Sequence, residues 1–527
     1  MSETTALSSF SLEPEPADVP QARAMLERAE WAARAFRTLD KPAVDRILEA
    51  VVRAAMQHAQ EYAERAVAET GFGVVEHKRR KNEACSRGVL DFYAGADFVT
   101  PRIDADAKIV EVPRPAGVVL ALTPSTNPVA TVYFKVLLSL MTRNAVVVSP
   151  HPLAKRVCAD AARVLSAAAE AAGAPAGVVQ VVTEPTIPLI DALMTDPRTS
   201  VIVATGGNAV VRAAYRSGNP ALGVGPGNVP VLVDATADLN AAARRIVDSK
   251  SFDNSCLCTN ESVVVVEDRV ADAFARALRS AGAFLLDAEQ AARVRDLVFP
   301  NDRFDPAVVG RSATWLAEQA SVQVPHNTKV LVAEFEQVVP EEPMAREKLT
   351  PLLGLVRVPS AAAGIKAARA VLRISGAGHS AAVHSTDPAT ILEFGAACNV
   401  LRVAVNAGNS LGSAGLETHL APTMTIGTGY AGRSSVGENL RPDHLVNWVR
   451  LAHNADASVP MGDFSGLSPW RASTGPVPAY PTPSNAREAA PAVVSTGSTD
   501  ADGDLREELR RIIVEELHDL IGGGAHG

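Results

Sequence analysis

The sequence predicts an α/β protein whose first half is a doubly wound parallel sheet and whose second half is a further α/β region. Short runs of β-branched and apolar residues alternate with helical segments, which is the order of elements in a parallel sheet. The runs are apolar throughout, as in strands that are buried on both faces. A hydrophobic fraction of 47 % over 527 residues supplies enough apolar side chains for a large core.

The elements follow in order from the N-terminus. Residues 1–20 contain acidic residues and prolines and are expected to be a flexible arm. Apolar residues at steps of three and four predict helices at 21–39 and 43–69. The strands of the first sheet are predicted at 118–122, 145–148, 178–182, 201–203 and 229–233, with helices at 127–141, 153–172, 188–194 and 208–216.

The second region has its strands at 262–266, 329–332, 353–356 and 382–384. We predict a final helix at 442–453, because Pro442 suits the first turn of a helix. Pro, Ala, Ser, Thr and Gly dominate residues 471–503, which indicates a disordered linker. A helix is then predicted at 504–521, and its stripe of apolar residues must be buried against another surface.

The overall composition excludes several classes of protein. The 50 Lys and Arg against 59 Asp and Glu give a net charge of −9, and without a large basic block we expect no nucleic-acid partner. Without an apolar run of about 18 residues, we expect no membrane span. Five cysteines in a chain of this length are too few for a disulfide framework, which favours a cytoplasmic location.

The strongest local signal for catalysis is a stretch that contains two cysteines, Cys256 and Cys258. It is Lys250-Ser-Phe-Asp-Asn-Ser-Cys-Leu-Cys258, a polar, turn-prone segment just before a buried strand. Such a position suits a partly exposed nucleophile whose pKa is lowered by backbone amides, and a half-buried thiol without a role is the other interpretation. Cys85, Cys158 and Cys398 lie in helical, alanine-rich surroundings and are expected to be such thiols. No Cys or His pair has the spacing of zinc ligands, so we expect no metal site.

Four further motifs lie at predicted turns. In Thr123-Pro-Ser-Thr-Asn127-Pro128, the amide of Asn127 either donates to a developing oxyanion or only caps the helix that follows. In Thr205-Gly206-Gly207, glycines at a strand-to-helix turn let a phosphate approach the helix N-terminus. The glycines of Gly223-Val-Gly225-Pro-Gly-Asn228 permit close approach of a backbone or a tight turn. Gly427-Thr-Gly-Tyr-Ala-Gly432 matches a dinucleotide-binding pattern, but no clear helix or βαβ unit follows it, so we reject it as the cofactor motif.

Together these motifs resemble the aldehyde dehydrogenase superfamily, and specifically its coenzyme A-acylating branch. The resemblance covers roughly residues 20–453. It rests on the order of six stretches, which are 123–128, 143–152, 205–207, 223–228, 252–258 and 347–349. It implies a cofactor-binding domain at 21–238, a catalytic domain at 239–424 and a small oligomerisation arm, with 425–453 returning to the cofactor-binding domain or to the arm. It also implies a homodimer or a homotetramer.

The resemblance also assigns roles to single residues. Cys258, rather than Cys256, is similar in position to the family's nucleophile. Asn127 resembles the residue that holds the oxyanion together with the backbone N–H of Cys258, and Glu347 resembles the glutamate that holds the nicotinamide ribose. The expected cofactor is NAD. The other candidate cofactor-binding residues are Thr123, Pro124, Ser149, His151, Thr205, Gly206, Gly207 and Gly225.

Two departures from the family pattern are informative. Hydrolytic members carry a glutamate base in a Glu-Leu-Gly-Gly stretch, whereas residues 222–228 here contain no carboxylate. Without a base that activates water, an enzyme thioester persists until a thiol arrives, so coenzyme A is the expected co-substrate. Ser149 stands where hydrolytic members have lysine, which leaves NADP as an alternative to NAD. His379 is a candidate contact for coenzyme A, and a structural histidine is the other interpretation.

The reaction that the resemblance implies is oxidation of a short aliphatic aldehyde, propanal or acetaldehyde, to its acyl-coenzyme A. The alternatives are a hydrolytic dehydrogenase that makes the free acid, a reductase of acyl phosphates, and a catalytically silent cargo or scaffold protein. The linker and the helix at 504–521 resemble the targeting peptides of enzymes inside bacterial microcompartments. We therefore expect that helix to bind a shell protein and the enzyme to lie within a compartment in the cytoplasm. Docking of the helix on its own or another subunit is the alternative.

Overall fold

The computed structural model describes residues 18–470. Residues 1–17 of the predicted arm, the linker at 471–503 and the helix at 504–521 lie outside the described residues. The helices are α1 (Asp18–Phe36), α2 (Lys41–Gln57), α3 (Ala59–Thr70), α4 (Val75–Glu83), α5 (Val89–Phe92), α6 (Pro128–Met141), α7 (Lys155–Ala171), α8 (Ile187–Thr195), α9 (Asn208–Arg216), α10 (Leu239–Ser251), α11 (Asp268–Ser280), α12 (Ala288–Val298), α13 (Ala313–Gln319), α14 (Ala361–Ile374), α15 (Pro388–Ala397) and α16 (Asn409–Ser413). The strands are β1 (Arg102–Asp104), β2 (Ile109–Pro115), β3 (Val118–Thr123), β4 (Ala145–Pro150), β5 (Val179–Val181), β6 (Val201–Ala204), β7 (Ala221–Gly223), β8 (Val229–Val233), β9 (Glu261–Glu267), β10 (Ala283–Leu285), β11 (Val330–Glu334), β12 (Leu352–Val358), β13 (Ala381–His384), β14 (Val403–Val405) and β15 (Val446–Ala452).

The first sheet is parallel and five-stranded, in the order β5-β4-β3-β6-β7. β3 comes first along the chain and lies at the centre, so the strand order reverses between β3 and β6. Every residue of β3 is buried, and α6, which follows it, is buried along all 14 residues. The predicted parallel sheet is therefore confirmed. Ligands of open α/β sheets bind outside the carboxyl ends of the strands at such a point of reversal.

The second sheet is also parallel and has seven strands, in the order β10-β11-β12-β9-β8-β13-β14. β8 pairs with β9 and β13 in this sheet. The prediction that residues 229–233 close the first sheet is therefore wrong, because that sheet ends with β7 at Gly223. The domain boundary at 238 stays a prediction. A fully apolar run indicates a buried strand, but it does not indicate the sheet to which the strand belongs.

A third sheet is small and antiparallel and has the order β1-β2-β15. The predicted helix at 442–453 is wrong. Pro442–Leu445 is a single 3₁₀ turn, and β15 then pairs with β2 along its whole length, from Val446 opposite Pro115 to Ala452 opposite Ile109. Proline suits the first turn of a 3₁₀ segment as well as that of an α-helix, and the ladder with β2 satisfies the backbone groups that a helix would pair internally.

The predicted helix at 43–69 is two helices. α2 begins after Asp40, whose side chain accepts a 2.9 Å hydrogen bond from the N–H of Ala43. It ends at His58, whose φ of −104° and ψ of 6° interrupt the helix before α3 begins. None of the helices within residues 18–470 is long and apolar enough to cross a membrane.

Candidate active site

The carboxyl ends of β3, β4 and β6 bring the predicted nucleotide-binding turns together. Leu122 lies opposite Ser149 on β4 and opposite Ala204 on β6. The N–H of His151 donates to the carbonyl of Thr123 at 3.0 Å, and the N–H of Thr205 donates to that of Leu122 at 3.2 Å. One edge of the first sheet thus holds seven of the predicted cofactor residues, which are Thr123, Pro124, Ser149, His151, Thr205, Gly206 and Gly207.

The turn after β6 fits an anionic group. Gly207 is the N-cap residue of α9 and has no side chain to accept from the first N–H groups of that nine-residue helix. These groups, together with the helix dipole, suit a pyrophosphate. Thr205 packs beside them, with its Oγ1 3.0 Å from Oγ1 of Thr425. The residues at this edge therefore fit the nucleotide cofactor that the sequence analysis expects.

His151 lies at the same edge and carries no charge at neutral pH. Burial lowers its pKa to about 4, and its Nδ1 accepts a hydrogen bond from the N–H of Leu153 at 3.1 Å. Ser149 beside it is buried. The side chains of positions 149 and 151 thus offer neutral polar groups to a ligand rather than a cation.

The glycine-rich loop after β7 passes close to the nucleophile. A Cβ on Gly227 would lie 2.0 Å from the carbonyl oxygen of Cys258 and 3.1 Å from Oε1 of Glu347, so only glycine fits there. The N–H of Gly225 donates to Oγ1 of Thr428 at 3.3 Å. The loop therefore packs against both Cys258 and Glu347, and it contains no carboxylate itself.

His379 lies in direct contact with Cys258. Its Nε2 is 3.1 Å from the Sγ of Cys258, and its Nδ1 is 3.0 Å from the Oγ of Ser380. That hydroxyl in turn accepts from the side-chain amide of Asn409 at 2.9 Å. With Nδ1–H donating to Ser380, Nε2 is free to accept the thiol proton.

The pKa values of this pair assign the proton to sulfur in the resting site. Burial, and next the negative charge of Glu347, raise the pKa of Cys258 to about 12, against the opposing charge of Arg402. A backbone N–H does lower the pKa, as the sequence predicts, but burial outweighs it, so the expectation of a lowered thiol pKa is wrong. Burial also lowers the pKa of His379 to about 3, with a contribution from Arg402, so that its imidazole is neutral in the resting site.

No part for His379 in the chemistry at Cys258 was predicted from the sequence. The two residues are 121 positions apart, and only the fold brings them together. One local signal was present, namely the glycines around the histidine. Gly376 and Gly378 have φ values of 85° and 77°, and a Cβ on Gly378 would lie 1.8 Å from the carbonyl oxygen of Thr428. Arg402 fixes the same loop by donating to the carbonyl of His379 at 2.9 Å.

The amide of Asn127 faces the loop that carries the nucleophile. Asn127 is the N-cap residue of α6, but its side chain makes no cap hydrogen bond, so the interpretation as a simple helix cap is excluded. Its Nδ2 lies 3.4 Å from the carbonyl oxygen of Cys256 and 3.2 Å from Oγ1 of Thr126. Its Oδ1 accepts from the Nζ of Lys81 at 2.5 Å.

Glu347 is the carboxyl group beside the nucleophile. Burial raises its pKa to about 8, although the charge of Lys250 and the N–H of Gly227 oppose this shift. At pH 7 the group is therefore mostly protonated, which makes it a poor base for water. In this state it can both donate hydrogen bonds to ribose hydroxyls and accept hydrogen bonds from them.

The remaining predicted features have simpler surroundings. Cys85, Cys158, Cys256 and Cys398 are buried, whereas Cys258 is partly exposed. The rejected glycine motif at 427–432 opens no helix, and Tyr430–Gly432 forms one 3₁₀ turn that packs on Gly225 and Gly378. No group of three or more His, Cys, Asp or Glu side chains suited to a metal ion is found in the described part of the chain.

The family model for the aldehyde dehydrogenase family matches residues 10–286, just over half of the chain. This chain belongs to the aldehyde dehydrogenase family. A curated relative, the bifunctional aldehyde-alcohol dehydrogenase of Escherichia coli, is 36 % identical over 445 residues, which cover 83 % of this chain and 50 % of the relative. The chain thus spans about half the length of the curated relatives that match it first.

Solved structures of aldehyde dehydrogenases are similar over nearly their full length. An acetylating aldehyde dehydrogenase from Geobacillus thermoglucosidasius has a TM-score of 0.82 at 35 % identity, over 85 % of this chain and 99 % of that one. A propionaldehyde dehydrogenase from the fucose utilisation bacterial microcompartment of Clostridium phytofermentans has a TM-score of 0.75 at 28 % identity, over 82 % and 97 %. The Rhodopseudomonas palustris propionaldehyde dehydrogenase, with bound coenzyme A and an acylated cysteine, has a TM-score of 0.74 at 28 % identity, over 82 % and 97 %.

Proposed function

We propose that this aldehyde dehydrogenase oxidises a short aliphatic aldehyde, propanal or acetaldehyde, to its acyl-coenzyme A, with NAD as cofactor and a thioester on Cys258 as intermediate. The observation that carries the proposal is the 3.1 Å contact between Cys258 and a neutral His379, beside a glycine-rich loop without a carboxylate. The bound coenzyme A and acylated cysteine of the Rhodopseudomonas palustris structure support the same chemistry.

Residues at the carboxyl edge of the first sheet would hold the cofactor. The N-terminus of α9, behind Gly206 and Gly207, would take the pyrophosphate, and Glu347 would take the nicotinamide ribose. When bound, the nicotinamide supplies the acceptor for the hydride that leaves the aldehyde carbon. With Ser149 and the neutral His151 at this edge in place of a cation, we favour NAD over NADP.

The first half-reaction loads the cysteine. The thiol of Cys258 gives its proton to Nε2 of His379 as the sulfur attacks the aldehyde carbon. The oxygen of the thiohemiacetal takes up the negative charge, and the side-chain amide of Asn127 and the N–H of Cys258 donate to it. Loss of hydride from the carbon then restores the carbonyl and leaves a thioester on Cys258.

The second half-reaction unloads it. Once His379 has released the first proton to solvent, coenzyme A gives its thiol proton to His379 and attacks the thioester carbon. The sulfur of Cys258 then leaves as the acyl-coenzyme A forms, and it takes that proton back from His379. Water is a poor competitor, because residues 222–228 supply no carboxylate and Glu347 holds a proton at neutral pH. One thioester replaces another of similar energy, so we expect the enzyme to run in both directions.

We also propose a partner and an assembly for the chain. The Clostridium phytofermentans relative belongs to a bacterial microcompartment, which supports a role for residues 504–521 in binding a shell protein there. A chain truncated before Asp504 should no longer co-purify with shells, and retention would contradict this role. For the homodimer or homotetramer we propose the sheet of β1, β2 and β15 as the arm, since it exposes Ile103, Val449 and Leu451.

The acyl-enzyme is the direct test of the proposed function. Incubation with propanal and NAD but without coenzyme A should leave a propionyl group on the peptide that carries Cys258, detected by mass spectrometry. Addition of coenzyme A should remove it and yield propionyl-coenzyme A. A Cys258→Ala variant should carry no adduct. An adduct that forms equally in that variant, or none in the wild type, would contradict the proposal.

A further inference from the structure

Two buried lysines of α4 converge on one buried carboxylate next to the active site. Lys78 and Lys81 are 3 % and 1 % exposed, and Asp253 is fully buried. The Nζ of Lys78 lies 3.1 Å from Oδ2 of Asp253, and the Nζ of Lys81 makes a shorter contact with the same oxygen. The lysines lower the pKa of Asp253, which keeps its charge. Because an unpaired buried charge is costly, each lysine depends on its contact with Asp253, and the three side chains form one charged cluster beside the site.

Asp253 begins the strained segment that leads to the nucleophile. Asp253, Asn254 and Ser255 have φ values of 51°, 49° and 65°, three successive left-handed residues without a glycine. The Oδ1 of Asp253 accepts from the N–H of Val74 at 2.7 Å, and its own N–H donates to Nδ1 of His77 at 2.8 Å. The residues just before α4 and its first turn therefore hold the loop in which Cys258 lies.

The two lysines differ in their second contact. Lys78 donates to the backbone carbonyl of Thr126 at 3.0 Å, whereas Lys81 donates to the side-chain Oδ1 of Asn127. An ammonium group donates hydrogen bonds and accepts none. It therefore fixes which end of the amide faces it, and the Nδ2 end of Asn127 must point to the opposite side, toward the loop of Cys256 and Cys258.

We infer that Lys81 is a positioning residue for Asn127: it holds the amide so that Nδ2, and not Oδ1, faces the developing oxyanion. Without this contact the amide is free to turn over and to present an oxygen to the oxyanion, which repels it. The inference rests on the proposed function, because that function gives Asn127 its role. Lys78 is a matched control, since it shares the helix, the burial and Asp253 but does not contact the amide.

Single-turnover acylation in the full chain tests this inference. The Lys81→Met variant should load Cys258 with propanal on the order of 100-fold more slowly than the wild type, the loss typical of a missing oxyanion donor. The Lys78→Met variant should lose less than about tenfold, because Asn127 keeps its orientation. The KM for NAD should be unchanged in both. Equal rates in the two variants at equal melting temperatures would overturn the inference.

A double-mutant cycle separates positioning from a general loss of structure. In an Asn127→Ala background, Lys81→Met should slow acylation by less than about threefold, because the group through which it acts is gone. If Lys81→Met slowed acylation by the same factor with and without Asn127, so that the two effects multiplied, the inference would be overturned. If the wild type itself formed no acyl-enzyme, the proposed function would be refuted. Failure of the inference about Lys81 and failure of the proposed function thus give different results.

A second variant keeps the test decisive if Lys81→Met fails to fold. Lys81→Gln keeps a polar side chain against Asp253, but its carboxamide both donates and accepts, so it no longer fixes the amide of Asn127. Its acylation rate should fall by more than about tenfold. A wild-type acylation rate in a folded Lys81→Gln variant would contradict the inference.

Discussion

The contact between His379 and Cys258 is the residue-scale feature on which the chemistry depends. A thiol whose pKa lies near 12 reacts at neutral pH only when a neighbour takes its proton, and His379 is the neutral base at 3.1 Å. The imidazole thus does for this cysteine what a lowered pKa does for an exposed one.

Replacement of His379 by glutamine should lower kcat by about 10²- to 10⁴-fold, the range expected for loss of a general base. The matched control is His384→Gln, because His384 is also buried and is also kept neutral by burial, but lies on β13 without a contact to Cys258. Cofactor reduction with propanal and coenzyme A measures both. Equal losses in the two variants would contradict the assignment.

The rate at which iodoacetamide alkylates Cys258 should rise with pH up to and beyond pH 9 in the enzyme without ligands. The pKa of the thiol is raised, so the reactive thiolate increases with pH throughout this range. Iodoacetamide should react selectively with Cys258, since it alone among the described cysteines is partly exposed. The Cys258→Ala variant gives the background rate of alkylation. A plateau near pH 7 would show that the thiol is already ionised and would contradict this account.

Elements hold the site through contacts between loops that are far apart in sequence. The loop before β13 carries His379, and the glycine-rich segment at 427–432 packs directly on it, with Gly378 at the closest point. Glu261, the first residue of β9, joins two helices, because it accepts from the Oγ of Ser249 at 2.7 Å and from the N–H of Asn409 at 2.7 Å.

Gly378→Ala should lower the melting temperature of the protein. It should also lower kcat in the fraction that remains folded. A Cβ there meets the carbonyl oxygen of Thr428 at 1.8 Å, and the φ of 77° is strained for alanine, so the loop must shift and take His379 with it. Gly395→Ala in α15 is the control: nothing lies within 4 Å of its Cβ, and alanine favours a helix by about 1 kcal/mol. Melting temperatures and kcat check both, and a fully active Gly378→Ala enzyme would be incompatible with the described loop.

Glu261 should make the protein less stable as pH rises from about 4.5 to 7. Burial raises its pKa to about 7, so in this window the folded state keeps a proton that the unfolded state has released, and stability falls as the proton is lost. Glu261→Gln removes this dependence, and its melting temperature should drop less between pH 5 and pH 8 than that of the wild type. Parallel curves for the two proteins would refute the shift.

At the scale of the whole molecule, the sequence predicts what local patterns determine and misses what distant segments decide. The strands of the first sheet are predicted because unbroken β-branched runs specify strands buried on both faces. β8 and β15 are misassigned because their partners, β9 and β13 for the first and β2 for the second, are set by pairing that no local pattern contains.

The site divides in the same way. Cys258, Asn127 and the Thr205–Gly207 turn stand out because each occupies a turn next to a strand, and the order of the motifs resembles one family. Lys81 does not stand out, and the contacts of Asp253 and His379 with distant residues are missed, since a lysine on a polar helix or a histidine in a glycine loop has no pattern that shows its partner. Burial in the folded chain gives these residues their chemistry.

The central claim is that a thiol, and not water, releases the acyl group from Cys258. The measurement that tests it most directly follows cofactor reduction by the purified full chain with propanal and NAD, with and without coenzyme A. We expect sustained turnover only with coenzyme A, and at most one stoichiometric burst without it. Equal sustained turnover in the absence of coenzyme A would mean that water deacylates the enzyme, and would contradict the account.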